Sequence, residues 1–419
     1  MMKHGVLISA AIILCAAGGF SQSKYVAPTA AGYDKYILVS AVDVKDAQGK
    51  PVTAPDGRTL KTMSAKIVDA SVPGAKKVSL YTIKNKKGMT VSITNYGAKI
   101  EQIMVPDKKG VFADVALGYE TIDQAIAGQG SFGSFVGRYA NRIAGAKFTL
   151  DGKEYSVGLN ETKGPGLFNM LHGGVIGSRF IVFDAKQIDG SKVEMSYTFK
   201  DGEEGFPGTL AVKVIYSVTD KNELSIAYQA EALDKDTVAN FTTHTFFNLS
   251  GDLGSEILDH VIRVNAAKYL QINAASIPTG KLEPVKDTPL DFTKPEVFGS
   301  RIKSDFDQIK FVNGYDHHFA LDKKKQGALE FAASAYDPKS GRFMEVFTTE
   351  PGLQLHSGNN LAGQKPRDEG KGYLYIFRSG FNMEPSHFPD SPNQPSFPST
   401  VIKKGQKYTG TTVYKFSVK

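Results

Sequence analysis

Val193-Glu194-Met195-Ser196-Tyr197-Thr198-Phe199 is the stretch that decides the fold, because its side chains change character at every step. Apolar Val193, Met195, Tyr197 and Phe199 alternate with Glu194, Ser196 and Thr198. In extended chain successive side chains point to opposite faces, so this pattern describes a strand with one buried face. Leu210, Val212, Val214, Tyr216 and Val218 repeat the period around Lys213 and Ser217, and Leu224, Ile226 and Tyr228 continue it. Turn residues fall where strands must reverse: Asp189-Gly190, Asp201-Gly202 and Ser340-Gly341. Asp151-Gly152, set between Lys147-Phe148-Thr149-Leu150 and Glu154-Tyr155-Ser156-Val157, predicts a two-residue hairpin. Only Arg301 to Ile309 reads as a short helix. The expected fold class is all-β, a large antiparallel β-sandwich with a small N-terminal extension.

Outward from that core, residues 22–77 read as an extension, with Val26 to Gly32 as linker, Tyr36-Ile37-Leu38-Val39 as a strand and Asp56-Gly57 as a turn. A β-rich appendage and a mobile arm are both open for it, and residues 78–419 are read as the main domain. Residues 1–21 read as a signal peptide. Lys3 and His4 precede an apolar run from Gly5 to Phe20 that is too short and too rich in Gly and Ala to span a bilayer well. Small residues at Gly19 and Ser21 place cleavage after Ser21. Lipidation of Cys15 fits less well, because bulky Leu14 precedes it. Cleavage removes the chain's one cysteine, which suits an oxidising compartment; a periplasmic or secreted location in a bacterium is expected. Formal charge is +7, but the basic residues are scattered, so neither nucleic acid nor a stable membrane anchor is expected as a partner.

Five polar clusters interrupt the apolar alternation. They are Gly137-Arg138-Tyr139-Ala140-Asn141-Arg142-Ile143, Leu171-His172-Gly173-Gly174, Thr242-Thr243-His244-Thr245-Phe246-Phe247-Asn248-Leu249-Ser250-Gly251, Gly314-Tyr315-Asp316-His317-His318-Phe319 and Thr348-Thr349-Glu350-Pro351-Gly352-Leu353-Gln354. Singly, each has a bland reading. A His among Thr residues is commonly a hydrogen-bonded strand residue, Glu350 a solvated strand end, and Arg142 half of a surface ion pair. Asp316-His317-His318 invites a metal reading, but neighbouring strand residues face opposite ways, so the two imidazoles cannot share an ion. No metal site is assigned.

Together, and in this order, the clusters resemble the galactose mutarotase (aldose 1-epimerase) family. Thr94-Asn95-Tyr96-Gly97-Ala98, Asp201 to Leu210, Arg378-Ser379-Gly380-Phe381 and His387 to Pro395 extend the resemblance over Val78 to Phe416. It implies a galactose mutarotase-like supersandwich with an open cleft, and an isomerase that interconverts the α and β anomers of free hexoses. It further implies Glu350 as general base and His244 as general acid. His172, Arg142, Asn141 and Asp316 are then the residues that hold the sugar, and both catalytic groups must converge on one pocket. Ring opening removes the proton on the C1 hydroxyl while delivering one to the ring oxygen, work for a carboxylate and an imidazole. No hydride, phosphoryl or acyl group moves, so no cofactor is needed. Phe246 and Phe206 are candidates for stacking on the sugar, with core packing as the alternative for each.

The chain also departs from the family pattern. Val175-Ile176-Gly177-Ser178-Arg179-Phe180 replaces an aromatic- and Lys-rich segment, and Met383-Glu384-Pro385-Ser386 stands where Cys-Leu-Glu-Thr-Gln is typical. Rival readings are a sugar-binding protein without turnover, a hexose-phosphate epimerase, and a glycoside hydrolase or lyase. Hydrolysis needs two flanking carboxylates, for which Glu203 and Glu204 are the available pair, although adjacent Glu residues in a Gly-rich turn are usually solvated.

Overall fold

The computed structural model describes residues 25–163, 167–364 and 366–419, and the leader read at residues 1–21 lies outside them. The Lys192–Phe199 strand pairs antiparallel with Leu210–Val218, which pairs with Glu223–Ala232. These belong to a nine-stranded sheet continued by Lys407–Val418, Arg342–Thr348, Glu330–Tyr336 and Val261–Val264, with Asp184–Asp189 and Glu296–Val297 at its edges. Register follows the sequence period: Val193 lies opposite Tyr216 and Met195 opposite Val214, all buried. A slip of one residue would turn each strand's buried row to solvent, at roughly 1.5–3 kcal/mol per large apolar side chain, so the register is tightly specified.

Against this sheet stand a four-stranded sheet beginning at Leu80–Lys84 and a six-stranded sheet. The latter runs Phe246–Phe247, Phe381–Ser386, Gly352–His356, Asp316–Ala320, Lys268–Ile272, Pro278–Pro284. Val214 and Tyr414 of the large sheet, Ile93 and Ile103 of the four-stranded sheet, and Phe247, Phe381, Met383 and Leu355 of the six-stranded sheet share one core. The all-β sandwich read from the alternation is what forms.

Local expectations fare unevenly. The Asp151-Gly152 turn joins Lys147–Leu150 to Lys153–Ser156, with both turn residues at positive φ (50° and 76°), as a type I′ turn requires. The helix read at Arg301–Ile309 instead spans Asp307–Val312, because the Ser304 hydroxyl donates back to the Arg301 carbonyl (2.7 Å) and closes a local turn.

The extension is a packed appendage. Lys35–Asp43 pairs with Lys61–Val68 and Lys76–Val78, and the Val26–Gly32 segment leads into a helical turn at Ala30–Tyr33. Ile37, Met63 and Val78 bury against Leu117, Tyr119, Phe132 and Phe246. At its start the Val26 N–H donates to the Lys371 carbonyl (3.0 Å), and the Tyr25 hydroxyl donates to Asp114 (3.1 Å), itself paired with fully buried Lys371 (2.7 Å). Among the described residues no helix is long and apolar enough to cross a membrane.

Candidate active site

Strand alternation builds one wall of the site. In Phe381–Ser386 the apolar Phe381 and Met383 enter the core, so Asn382 and Glu384 face the other way. Cross-strand neighbours share that face. One row runs Phe246, Asn382, His356, Asp316, and the next runs Glu384, Gln354, His318. His317 points to the opposite face, where its ring meets Tyr269.

Loops supply the facing wall. Asn141 and His172 both adopt left-handed backbone (φ 59° and 53°) and interlock: the His172 N–H donates to the Asn141 carbonyl (2.9 Å), and the Asn141 N–H to His172 Nδ1 (3.2 Å). Gly173 must be glycine, since a Cβ there would meet the Gly137 carbonyl oxygen at 1.9 Å. Arg142 lies beside them, its Nε and Nη2 each donating to Glu161 at 2.7 Å in a nearly buried bidentate pair.

These walls enclose a hollow of about 90 Å³ lined by Asn141, Arg142, His172, His244, Asp316 and Glu384, with Leu171, Phe246, Gln354, His356 and Asn360 completing it. A broader hollow of about 640 Å³ beside Tyr269 and Phe311 has no comparable convergence of ionisable groups. The ionisable groups converge in the small one. His244 Nε2 lies 3.5 Å from Glu384 Oε1, and the His172 ring meets the His244 ring edge-on at 5.0 Å. Burial pushes the Glu384 carboxyl up to about 8 and the His244 imidazole down to about 3, with His356 adding to the second effect. Burial also holds His172 and His356 below the usual imidazole range. Burial would raise Asp316, but His356 and Arg142 outweigh it, so this carboxylate, which accepts from Gln354 Nε2 (2.7 Å), stays ionised.

Five of the six residues read from the sequence therefore meet: His244, His172, Arg142, Asn141 and Asp316. Glu350 does not. It precedes the Gly352–His356 strand by two positions, and its carboxylate accepts from the Tyr228 hydroxyl (2.5 Å) and the Tyr408 hydroxyl (2.9 Å) and lies 2.7 Å from His387 Nδ1. Its partners Tyr228, Tyr408 and His387 are all absent from the residues lining the hollow. The expectation that Glu350 faces His244 is corrected: the carboxyl in that place is Glu384. Its signal in the sequence was the period-two run Asn382, Glu384, Ser386, which gives a strand with an apolar core face one polar face as well.

Two further readings change. Phe246 lines the pocket, whereas Phe206 is wholly buried in a separate cluster with Phe148. Glu203 and Glu204 are not simply solvated. Glu204 accepts from the Val175 and Ile176 N–H groups (2.7 and 2.9 Å), anchoring the unusual segment after His172, and Glu203 accepts from the Tyr197 hydroxyl (3.0 Å).

Residues 79–415 match the family described as Aldose 1-epimerase. Galactose mutarotase of Bos taurus is 39% identical over 345 residues, covering 82% of this chain and 96% of the relative. Aldose 1-epimerase of Escherichia coli (strain K12) is 34% identical over 350 residues, covering 83% and 97%. Among solved structures, an aldose epimerase homologue from C. elegans superposes with a TM-score of 0.71 at 27% identity, covering 81% of this chain and 99% of the other.

Proposed function

Because the chain belongs to the aldose 1-epimerase family, we propose that it interconverts the α and β anomers of a free aldohexose such as galactose or glucose, with Glu384 and His244 moving the protons. The observation that carries this assignment is the 3.5 Å separation of Glu384 Oε1 and His244 Nε2 inside a polar pocket. The two oxygens that exchange protons, O1 and the ring oxygen O5, are both bonded to C1. An acid and a base serving them must therefore lie side by side, and these two groups do.

The pair carries one transferable proton. A carboxyl with a raised pKa and an imidazole with a lowered one hold that proton on Glu384 in the empty site, and moving it to His244 gives carboxylate and imidazolium at the same total charge. One partner takes the proton from O1 while the other protonates O5. The O1–H electron pair becomes the C1 carbonyl, and the C1–O5 pair stays on O5. After rotation about C1–C2 the steps run backwards on the other face of the aldehyde, restoring the pair. His172, Arg142, Asn141 and Asp316 hold the hydroxyls, Arg142 as a planar donor fork fixed by Glu161 and Asp316 as an ionised acceptor. The ring of Phe246 supplies an apolar surface for the sugar's C–H face.

Polarimetry on freshly dissolved α-D-glucose and α-D-galactose tests the reading. Wild-type protein should speed the relaxation, and His244→Asn should slow it severely. No acceleration with either sugar, or release of new reducing ends from oligosaccharides, overturns it. Export to a bacterial periplasm or beyond is proposed from residues 1–21 alone, and a mature N-terminus at Gln22 supports it while an intact Met1 in the exported fraction overturns it.

A further inference from the structure

His356 lines the hollow but takes no part in the proton transfers. It stands directly opposite Asp316 in the pairing of their two strands, so both side chains reach the hollow from one face of the sheet. Its ring meets Phe246 edge-on at 5.6 Å, and its Nδ1 accepts the Gly358 N–H (3.2 Å). The donor is a backbone N–H, so Nδ1 can only accept, and the neutral ring carries its proton at Nε2. Gly358 is itself fixed: its φ is +66°, and a Cβ there would meet the Gly380 carbonyl oxygen at 2.4 Å. Nε2 has no partner among the described residues and is not one of the sealed, unpaired side-chain atoms, so it opens onto the hollow. Asp316 is arranged in the same way. Its Oδ1 accepts from Gln354 Nε2 (2.7 Å), and Oδ2 is left without a partner among the described residues.

From this pair we propose that His356 is a specificity-determining residue: its Nε2–H donates to one sugar hydroxyl other than O1, and that hydroxyl gives its own proton to Asp316. The inference rests on the sugar-binding reading of Asp316 above. Glu384 and His244 serve O1 and O5, so the hydroxyl read here belongs to another carbon of the sugar. A hydroxyl carries one donor hydrogen and two acceptor lone pairs, and can satisfy both residues at once. Opposite residues on paired strands have Cβ atoms about 4.5–5.5 Å apart, close enough for both side chains to reach one oxygen. A sugar lacking that hydroxyl would leave an N–H and a carboxylate unpaired, which is how a polar site rejects an analogue that only lacks a group. His172 is held alike on the facing wall, its Nδ1 taking the Asn141 N–H (3.2 Å). The hollow is thus bounded on two sides by neutral imidazoles whose Nδ1 is already engaged.

The test uses sugars that cannot turn over. The 1,5-anhydro forms of galactose and glucose have no C1 hydroxyl and cannot open, so calorimetric titration reads binding alone. The tighter binder of the two is compared with its monodeoxy derivatives at C2, C3, C4 and C6. One derivative should bind wild-type protein roughly 30–100-fold more weakly than its parent. His356→Phe, which keeps a ring against Phe246, should bind the parent about 10-fold more weakly and that one derivative within about twofold of wild type. His356→Gln, whose amide supplies a donor again, should recover at least about threefold of the loss. An equal loss on the parent and on every derivative would make His356 a packing residue and overturns the proposal, as does parent binding unchanged in folded His356→Phe. Wild-type protein that shows this binding pattern but does not speed mutarotation would sink the mutarotase assignment and leave the His356 reading standing.

Discussion

The molecule buries Glu350 and Glu384 beside histidines, and their surroundings differ in the donors they supply. Glu350 is served by two tyrosine hydroxyls and lies within hydrogen-bond distance of His387. Glu384 has the amide of Asn382 at 2.8 Å and His244 at a distance too long for a good hydrogen bond. A buried carboxylate short of donors is pushed toward the protonated form, and the Glu384 carboxyl rises to about 8. Burial and a nearby histidine are thus common to both sites; what differs is the supply of donors, and it is Glu384 that lines the hollow with His244.

The strongest way to break this comparison is to remove each charge in turn. Glu384→Gln should slow anomer relaxation about 10³-fold, as expected for loss of a general acid–base group, while Glu350→Gln should stay within about threefold of wild type. Equal losses in polarimetry would mean that the donor count does not separate the roles. Stability should show the reverse ranking. Glu350→Leu strands the Tyr228 and Tyr408 hydroxyls and the His387 nitrogen, and should cost about 2–4 kcal/mol in chemical denaturation.

A pH series sharpens the contrast. The folded protein keeps a proton on Glu384 up to about pH 8, whereas the unfolded chain releases it near about 4.3. Between those values the folded state binds more protons, so this group's contribution to stability falls as pH rises. Glu384→Gln lacks that loss. The variant should therefore gain stability over wild type as pH climbs, by about 5 kcal/mol near pH 8, and converge with it near pH 4. A gap that does not change with pH would place Glu384 in a more polar setting than the one described. The smallest effect concerns binding. Glu161→Gln weakens the clamp on Arg142 and should raise KM roughly 3–10-fold with kcat nearly unchanged in the same relaxation assay.

Much of the architecture could be read directly from residue order. Alternation at Val193 to Phe199 and Leu210 to Val218 is a local property, and the pairing register preserves it. The Asp151-Gly152 hairpin was equally legible, because a type I′ turn depends on its two central residues. The helix near Arg301 was misplaced, since the Ser304 hydroxyl bond that shortens it depends on side-chain geometry. Of the residues lining the hollow, His244, His172, Arg142, Asn141 and Asp316 had been singled out by their motifs, whereas Glu384 had not. It lies in a segment that departs from the family pattern, and Glu350 occupied a better-matched motif.

Order along the chain determined that this protein is a β-sandwich of one family and which motifs surround its sugar site, because both follow from residues close together in sequence. Which glutamate meets His244 was decided only by the folded sheets. That meeting joins residues 140 positions apart through strand pairing, and a carboxyl's affinity for protons depends on the donors and the water that the surrounding fold leaves within its reach.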